Sequence, residues 1–416
     1  MKVFLKTFGC RANQYDTETV RAMLAAGEIE ETVCVEDADV AVFNSCSVTS
    51  AAEADLRASV RQAVRRNPRI RSIVMGCAPG SPVRDESKAQ LRSLPSVSHL
   101  VEGADILSVA VALGLERVSV QPAAVQTGSR ALIRIQEGCS QHCTFCATTL
   151  ARGTSRSRPA AEIVREAAML ALTHPEIVVT GIHIGSYGDD CDSSLGQLML
   201  ELIQKVPEVR FRLTSVEATE VDDTLRQLLT LNPRRLAPCL HAPLQSGSDS
   251  VLRRMGRHWY TAQSYADAIE EIVGNSEVFG LSADVIAGFP GETDDDHAAT
   301  LALVERLPFT SLHVFPYSPR PGTAALRLGN QVSSPIVAAR AGELRSAGAA
   351  RSRGHATRRD GGRADVVVTG RGRGLTEDYL SVMVADPALP RRTRFQATLE
   401  CIDGQLIANP VPANHS

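Results

Sequence analysis

Three thiols crowd one short loop in the stretch Gly138-Cys139-Ser140-Gln141-His142-Cys143-Thr144-Phe145-Cys146, where their spacing is C-x3-C-x2-C. Thiolates this close together usually bind metal, and iron-sulfur clusters are held by cysteine thiolates, normally one for each iron. A cubane cluster held by only three thiolates leaves one iron open to a small bidentate ligand. A zinc ribbon would instead pair two C-x2-C knuckles some distance apart. The loop therefore predicts a tri-thiolate cluster, with a zinc site or a disulfide loop as the weaker alternatives.

The composition is that of a globular chain without a membrane span. The 416 residues, 44% of them hydrophobic, suffice for two or three domains that each bury a core. No apolar run reaches about 18 residues and Met1–Cys10 does not suit a signal peptide, so a cytoplasmic location is predicted. Ten cysteines in such a chain indicate metal or redox chemistry. The net charge of -3 gives no sign of nucleic-acid binding, so such a partner needs local basic patches.

Three strand-thiol-helix units open the chain. Strand-like segments at Lys2–Phe8, Ala38–Asn44 and Ser72–Met75 each lead into a cysteine, which gives Cys10, Cys46 and Cys77. Helical patterns follow at Asp16–Ala26, at Ala51–Arg66 and near Asp85. This alternation predicts a parallel α/β sheet with all three thiols at the carboxyl ends of strands, where open sheets bind ligands. The spacing alone leaves open whether these are a second tri-thiolate site or three structural thiols.

A second series of strand-helix units follows a predicted linker at Leu113–Ser129. Six strands are predicted, at Ala131–Gln136, Ile177–Ile184, Arg210–Val216, Leu236–Leu244, Leu281–Phe289 and Ser311–Tyr317. Helical patterns between them lie at Ala160–Leu172, Leu195–Val206, Ala262–Val273 and Asp295–Arg306. The series predicts a partial (β/α)6 barrel, and the cysteine loop follows its first strand, where such barrels carry their sites.

The C-terminal part changes in composition. Leu326–Arg373 holds ten arginines, a bias that suits either a solvated surface or contact with phosphate, and Arg351, Arg353, Arg358, Arg359 and Arg363 form its densest part. Short strands are predicted beyond it, at Ala364–Arg371, Tyr379–Ala385, Thr393–Ile402 and Gln405–Ala408. They suffice for a small all-β barrel.

The cysteine loop and the units around it resemble one family in detail. Its spacing, with the aromatic Phe145 directly before the last cysteine, is typical of radical S-adenosylmethionine (SAM) enzymes. Over essentially its full length the chain resembles the radical SAM methylthiotransferases. The resemblance implies an α/β chain with an N-terminal methylthiotransferase domain at 1–120, a radical SAM barrel at 125–350 and a TRAM-like barrel at 355–416.

The resemblance also implies two [4Fe-4S] clusters and S-adenosyl-L-methionine as cofactors. Cys139, Cys143 and Cys146 match the ligands of the radical SAM cluster, and Cys10, Cys46 and Cys77 match those of an auxiliary cluster, so these six are the implied catalytic residues. The positions implied to contact the cofactor are Phe145, Gly181, Ser215, Glu217, Gln245, Ile286 and Gly288. Each of these residues also has a purely structural explanation when it is considered alone. A glycine can allow close packing, and a polar side chain can have hydrogen-bond partners within the protein.

Three motifs most resemble the family branch that acts on N6-threonylcarbamoyladenosine in tRNA. They are Cys10-Arg11-Ala12-Asn13-Gln14-Tyr15-Asp16-Thr17-Glu18, Asn44-Ser45-Cys46-Ser47-Val48-Thr49 and His313-Val314-Phe315-Pro316-Tyr317-Ser318. The implied reaction forms the 2-methylthio derivative next to the anticodon, with one cluster generating a deoxyadenosyl radical and the auxiliary cluster holding the sulfur. Ala78-Pro79 and Ala147-Thr148-Thr149 depart from the family pattern. The alternatives are isopentenyladenosine in tRNA, a ribosomal-protein aspartate, or a non-catalytic iron-sulfur electron carrier.

The resemblance implies partners as well. These are tRNA, through its anticodon stem-loop, and an electron donor such as flavodoxin or ferredoxin, while the sulfur donor stays unidentified and no membrane is expected. Arg152, Arg156 and Arg158 lie just past the cysteine loop. They are either exposed charges or contacts for tRNA phosphates.

Overall fold

The computed structural model describes residues 1–46, 50–80, 85–115, 122–274, 276 and 278–412. Ser47, Val48 and Thr49 of the second thiol motif, and 116–121 of the predicted linker, lie outside the described residues. The chain divides into two compact units. Unit 1 comprises Met1–Gln126, Gln136–Arg156 and Ser318–Leu326, and unit 2 comprises Thr127–Ile135, Ser157–Tyr317 and Arg327–Ser416. The cysteine loop thus folds with the N-terminal part, and the three domain boundaries given above stay a prediction.

The N-terminal part of unit 1 is a parallel sheet of five strands in the order β2-β1-β3-β4-β5. The strands are β1 Lys2–Thr7, β2 Glu30–Thr32, β3 Val40–Ser45, β4 Arg71–Gly76 and β5 Val97–Glu102. The helices are α1 Arg11–Ala26, α2 Ser50–Arg66, α3 Cys77–Gly80, α4 Asp85–Arg92 and α5 Ile106–Ala112. The predicted strand-thiol-helix plan is confirmed, although α1 begins at Arg11 rather than at Asp16.

Strand β3 shows why this sheet forms. Val40 and Val42 pack on one face of it, in a cluster with residues of α1 and α5. Ala41 and Phe43 pack on the other face, in a cluster with residues of α2. Because successive side chains of a strand point to opposite faces, an apolar run suits a parallel sheet that is covered on both sides.

The segment that carries the cysteine loop contains only short elements, β7 Gln136–Glu137, α6 Thr148–Arg152 and β8 Arg156–Ser157. The central part of unit 2 contains the six predicted parallel strands, arranged as two three-stranded sheets. These are β6 Ala131–Arg134, β9 Glu176–Thr180, β10 Arg210–Leu213, β11 Cys239–His241, β12 Gly280–Ala287 and β13 Ser311–Pro316. Single parallel bridges at Phe211–Leu236 and Ser215–His241 join the two sheets. The helices of this part are α7 Ala160–Ala171, α8 Leu195–Lys205, α9 Asp223–Leu231, α10 Asp249–Arg254, α11 Ala262–Val273 and α12 Asp294–Arg306.

The C-terminal part of unit 2 is a long helix followed by a closed β-barrel. The barrel is confirmed, with the strand order β14-β15-β16-β18-β17. Its strands are β14 Arg363–Gly370, β15 Arg373–Leu375, β16 Ser381–Val384, β17 Arg394–Ile402 and β18 Gln405–Pro410. The helix, α13 Ser334–Arg358, was not predicted. Among the described residues, no helix is long and apolar enough to cross a membrane.

Only some arginines of the arginine-rich segment Leu326–Arg373 are exposed to solvent. Arg359 is buried and bonds Glu377 at 2.8 Å, and Arg340 is buried and bonds Glu292 at the same distance. Arg351 donates to the carbonyl oxygen of Leu307. Arg353, Arg358 and Arg363 are exposed, so these three are the residues of the predicted group that remain available to phosphate.

A buried ion cluster joins the central strands of unit 2 to its C-terminal barrel. Glu176 accepts hydrogen bonds from Arg210 at 2.6 Å and from Arg212 at 2.8 Å, and all three side chains are fully buried. Arg210 also donates to the carbonyl oxygen of Asp365, and Arg212 donates to those of Thr376 and Glu377. Burial alone would raise the pKa of Glu176, but the two guanidinium groups outweigh it and hold this pKa below its usual range.

Replacing Glu176 with Gln should lower the free energy of unfolding by about 3–5 kcal/mol, because Arg210 and Arg212 would stay buried without their counter-charge. Urea unfolding followed by circular dichroism measures this loss. The lowered pKa makes the contribution of Glu176 present above its unfolded pKa of about 4.3 and lost as the pH falls further. The difference between the two proteins should therefore shrink on acidification.

Glu201→Gln is the matched control. Glu201 forms a solvent-exposed pair with Lys205 at 2.6 Å, and such pairs contribute less than about 1 kcal/mol. An equal loss of stability in both variants would contradict a special role of the buried cluster.

Candidate active site

Two glycine-cysteine turns place thiols at the carboxyl ends of the sheet in unit 1. Gly9 and Gly76 have φ values of 99° and 98°, the left-handed region that favours glycine. A Cβ at Gly9 would lie 2.6 Å from the Cβ of Cys46, and one at Gly76 would lie 2.5 Å from the carbonyl oxygen of Ser45. Glycine is therefore required on both counts, and it lets Cys46 approach the turn that carries Cys10.

Asparagine side chains tie these strand ends together. Asn13 donates to the carbonyl oxygen of Ser45 at 2.7 Å and to the Oδ1 of Asn44 at 3.1 Å. Asn44 in turn donates to the carbonyl oxygen of Asn13 at 2.8 Å. The hydroxyl of Ser45 donates to the carbonyl oxygen of Met75 at 2.5 Å and accepts from the N–H of Ala78. The strand ends that precede Cys10, Cys46 and Cys77 are thus held in one hydrogen-bonded layer.

Arg152 reaches this layer from helix α6. Its side chain is 1% exposed and donates to the Sγ of Cys77 at 3.3 Å and to Asn13 at 2.9 Å. Asp16 at 3.0 Å and Glu137 at 2.9 Å balance its charge. The sequence predicted an exposed charge or a phosphate contact here, and the structure contradicts both.

The other two arginines of that prediction differ from Arg152. Arg156 is exposed. Arg158 is partly buried and pairs with Glu166 at 2.9 Å within unit 2. Only Arg156 keeps the exposure that contact with a phosphate requires.

The three thiols near Arg152 differ in exposure. Cys10 is exposed, whereas Cys46 and Cys77 are buried. Burial raises the pKa of the Cys77 thiol to about 11, against the opposing effect of Arg152, and Cys10 and Cys46 are close enough to add to the rise. Three convergent thiols beside a guanidinium N–H suit a negatively charged iron-sulfur cluster, whose sulfurs accept hydrogen bonds.

Backbone contacts hold the cysteine loop of residues 138–146 in place. Gly138 has a φ of 74°, and a Cβ there would lie 2.0 Å from the carbonyl oxygen of Thr154. The N–H of Cys139 donates to the carbonyl oxygen of Gly153 at 2.9 Å. The N–H of Thr148 donates to the Sγ of Cys146 at 3.4 Å, a contact that suits a cluster ligand. Cys139, Cys143, Cys146 and Phe145 are all partly exposed, so an added group can reach this loop.

The predicted cofactor positions of unit 2 lie at or just beyond the carboxyl ends of its parallel strands. Gly181 directly follows β9, Ser215 is exposed beyond β10, and Ile286 lies on β12. Gln245 has a φ of 63°, which is unusual for a residue other than glycine, and its backbone bonds Asp284 and Ile286 of β12. Strain of this kind clusters at functional sites. Their contact with a cofactor stays a prediction.

Glu217 and Gly288 have partners of their own. Both carboxylate oxygens of Glu217 are engaged, one by Arg257 and the other by the indole N–H of Trp259. A Cβ at Gly288 would lie 2.4 Å from a methyl carbon of Val337, so packing against α13 already requires glycine. These contacts account for both residues without a cofactor, and the cofactor role remains a prediction.

Sequence reasoning missed the polar residues that hold the thiols. Asn13, Asp16 and Asn44 lie within the quoted motifs, but nothing in their spacing connects them to Arg152. The only sequence signal was their position within a few residues of a strand-end cysteine. It also missed His241, Asp284 and His313, which meet on neighbouring strands of unit 2.

Two known families match the chain. Residues 2–99 match the uncharacterized protein family UPF0004, and residues 133–304 match the Radical SAM superfamily. The first range includes Cys10, Cys46 and Cys77 with strands β1 to β4, and the second includes Cys139, Cys143 and Cys146.

Several named proteins are similar over most of their length. The threonylcarbamoyladenosine tRNA methylthiotransferase MtaB of Thermotoga maritima is 37% identical over 78% of this chain and 77% of its own. The protein of that name from Rickettsia prowazekii is 32% identical over 95% and 94%. A tRNA-2-methylthio-N(6)-dimethylallyladenosine synthase of Neisseria meningitidis is 34% identical over 79% and 78%.

Solved structures agree in fold. The radical S-adenosylmethionine methyltransferase TsrM of Kitasatospora setae has a TM-score of 0.58 at 13% identity, over 78% of this chain and 76% of its own. The cobalamin-dependent S-adenosylmethionine radical enzyme OxsB has a TM-score of 0.51 at 12% identity, over 78% and 54%. At such identities the likeness concerns the fold alone.

In metal-free protein at pH 8, iodoacetamide should modify Cys10 far faster than Cys77. With a pKa of about 11, roughly one Cys77 thiol in a thousand is ionised at that pH, and only the thiolate reacts. Peptide mass spectrometry over a time course measures both rates, with the exposed Cys34 and Cys191 as references. Equal rates for Cys10 and Cys77 would contradict the raised pKa.

Proposed function

We infer the function from the premise that this chain belongs to the radical S-adenosylmethionine tRNA methylthiotransferases, the family of its 37% identical relative. We propose that it converts N6-threonylcarbamoyladenosine next to the tRNA anticodon into the 2-methylthio derivative. The observation that carries the proposal is that hydrogen bonds and a close glycine turn hold the strand ends with Cys10, Cys46 and Cys77 together, with Arg152 donating to Cys77. The chain also carries a second set of three thiols on one loop.

The proposed cofactors are two [4Fe-4S] clusters and S-adenosyl-L-methionine. Cys139, Cys143 and Cys146 would hold the radical SAM cluster, and Cys10, Cys46 and Cys77 the auxiliary one. When bound, these groups supply the electron, the radical and the sulfur that replacing an unactivated C–H bond requires.

Residues around the thiols favour the thiolate form that binds iron and fix the positions of the strand ends. A thiol must lose its proton to bind metal, and burial opposes this at Cys77. The guanidinium of Arg152 favours the thiolate, both by its charge and by its N–H donated to the sulfur. Asn13 and Ser45 fix the strand ends, and the burial of Cys46 and Cys77 keeps water from two of the three ligands. Phe145, Gly181, Ser215, Glu217, Gln245, Ile286 and Gly288 are the proposed contacts for S-adenosylmethionine.

The choice of the threonylcarbamoyladenosine branch rests on named relatives and on the quoted motifs. Relatives with that name reach 37% identity, and the dimethylallyladenosine synthase reaches 34%. Because these identities are close, the choice of branch is part of the proposal. Nucleoside mass spectrometry of tRNA from cells with and without the gene tests it. Loss of the 2-methylthio form of N6-threonylcarbamoyladenosine would support the branch, and loss of another methylthio nucleoside would reject it.

The proposed location is the cytoplasm, with a flavodoxin or ferredoxin as electron donor.

Replacing Cys139, Cys143 and Cys146 together by Ala should remove about half of the iron and abolish formation of 5′-deoxyadenosine, because each thiolate serves only one cluster. The Cys10/Cys46/Cys77 triple variant is the matched partner. It should also lose about half of the iron, yet still cleave S-adenosylmethionine under dithionite while forming no methylthio product. Iron analysis and chromatography of the reaction measure these outcomes. Wild-type protein that forms no 5′-deoxyadenosine would indicate an electron carrier instead.

Binding of tRNA is proposed to use exposed arginines at the end of α13 and the start of β14. Arg353, Arg358 and Arg363 are exposed there, at the entry to the small barrel. Phosphate contacts of this kind position a nucleic acid without reading its sequence. Reading of the modified base must then use other residues.

Replacing Arg353, Arg358 and Arg363 together by Gln should weaken tRNA binding and flatten its salt dependence. Each lost phosphate contact removes about 0.7–0.9 unit from the slope of log affinity against log salt concentration, so three contacts remove about 2–3 units. Fluorescence anisotropy at several salt concentrations measures the slope.

The control removes three exposed arginines elsewhere, through Arg61→Gln, Arg65→Gln and Arg69→Gln. It changes the net charge equally and should leave the slope nearly unchanged. The same slope in all three proteins would exclude Arg353, Arg358 and Arg363 from the contact.

A further inference from the structure

Two histidines and an aspartate meet inside unit 2. His241 ends β11, Asp284 lies in β12 and His313 lies in β13, and these three strands are neighbours in one parallel sheet. His241 is opposite Ser282, and Asp284 is opposite His313. Because side chains of a strand alternate between faces, Ser282 and Asp284 share one face, and the register puts both histidines on it.

That face of the sheet points away from the helices of unit 2. In β12 the alternate residues Leu281, Ala283 and Val285 are fully buried in the core that includes the helices. Ser282 and Asp284 are only partly buried and point away from that core. The cluster is therefore reached from the inside of the barrel, and 56% of the His313 side chain is exposed.

The ligand atoms are spaced as around one metal ion. The Nε2 of His241 and the Nδ1 of His313 each lie 3.3 Å from the same Oδ1 of Asp284, and all three atoms are within 4.8 Å of one another. Two ligands bound to zinc at about 2.0–2.1 Å with tetrahedral geometry lie roughly 3.3–3.4 Å apart. Charge-assisted hydrogen bonds are shorter, about 2.7–2.9 Å. The spacing fits ligands around a common centre better than two ordinary ion pairs.

A hydrogen bond to the outer nitrogen of His241 supports this interpretation. Its Nδ1 lies 2.8 Å from the hydroxyl of Ser282. When Nδ1–H donates to that oxygen, the lone pair of Nε2 faces Asp284 and His313. Metal-binding histidines typically have such a partner, which fixes the tautomer and the direction of the ring. The rings of His241 and His313 lie with their centroids 5.4 Å apart.

We propose that His241, Asp284 and His313 bind one divalent transition-metal ion of the Zn²⁺ class. Three protein ligands of this kind leave one coordination position open, as in sites that accept a water or an oxygen ligand. The open position faces the inside of the barrel. The proposal concerns unit 2 alone and does not rest on the methylthiolation reaction.

The test is zinc analysis of the holoenzyme with its cysteines loaded with iron and sulfide, because free thiols would bind zinc themselves. After dialysis against micromolar Zn²⁺, inductively coupled plasma mass spectrometry should find about one zinc for each chain. X-ray absorption at the zinc edge should show only nitrogen and oxygen ligands at about 2.0–2.1 Å, since sulfur ligands lie near 2.3 Å.

Two single variants and a control identify the ligands. Asp284→Asn keeps the shape of the side chain and removes its charge, and His313→Ala removes a largely exposed ring, so both should keep the fold while zinc affinity falls at least tenfold. His258→Ala removes an exposed histidine outside the cluster and should bind zinc as the wild type does. Circular dichroism and the iron content check that each variant is intact. Absence of zinc from the holoenzyme, sulfur in its coordination shell, or unchanged affinity in Asp284→Asn and His313→Ala would each overturn the proposal.

Discussion

The thiol site of unit 1 depends on the burial of one guanidinium group. Arg152 is taken out of water together with Asp16 and Glu137, and a buried charge is tolerated only when it is paired and fully hydrogen-bonded. This requirement fixes helix α6 against the start of α1 and against the strand end that carries Cys77. The position of Cys77 at the end of β4 thereby depends on Arg152, which follows the cysteine loop of residues 138–146.

The placement of the cysteines could be predicted because it follows from local rules. An apolar run that ends in Gly-Cys and leads into a helix needs no distant information, and parallel topology then gathers the strand ends on one edge. The role of Arg152 could not be predicted. Its partner Asp16 lies far along the chain, and an arginine after a loop is more often exposed than buried.

The difference between local patterns and distant contacts also explains which elements of the C-terminal part could be predicted. The small barrel follows from alternating residues and turns, whereas α13 was hidden because its apolar positions are sparse and several arginines interrupt them. Gly348 shows how this helix is held, since a Cβ there would lie 2.8 Å from the Cβ of Leu312 on β13. Close packing of a helix on a strand through glycine leaves no periodic signal. For a similar reason His241, Asp284 and His313 could be found only once the register of three strands was known.

The buried cluster around Glu176 restricts how this protein can change during evolution. Arg210 and Arg212 use carbonyl oxygens of Asp365, Thr376 and Glu377 as acceptors, so the small barrel completes the interior of the central sheet. A domain can be exchanged by recombination when few contacts join it to the rest of the chain. Here an exchange would deprive two permanent charges of their acceptors, and a replacement barrel would have to bring the same backbone geometry. The barrel is therefore expected to be inherited together with the central sheet.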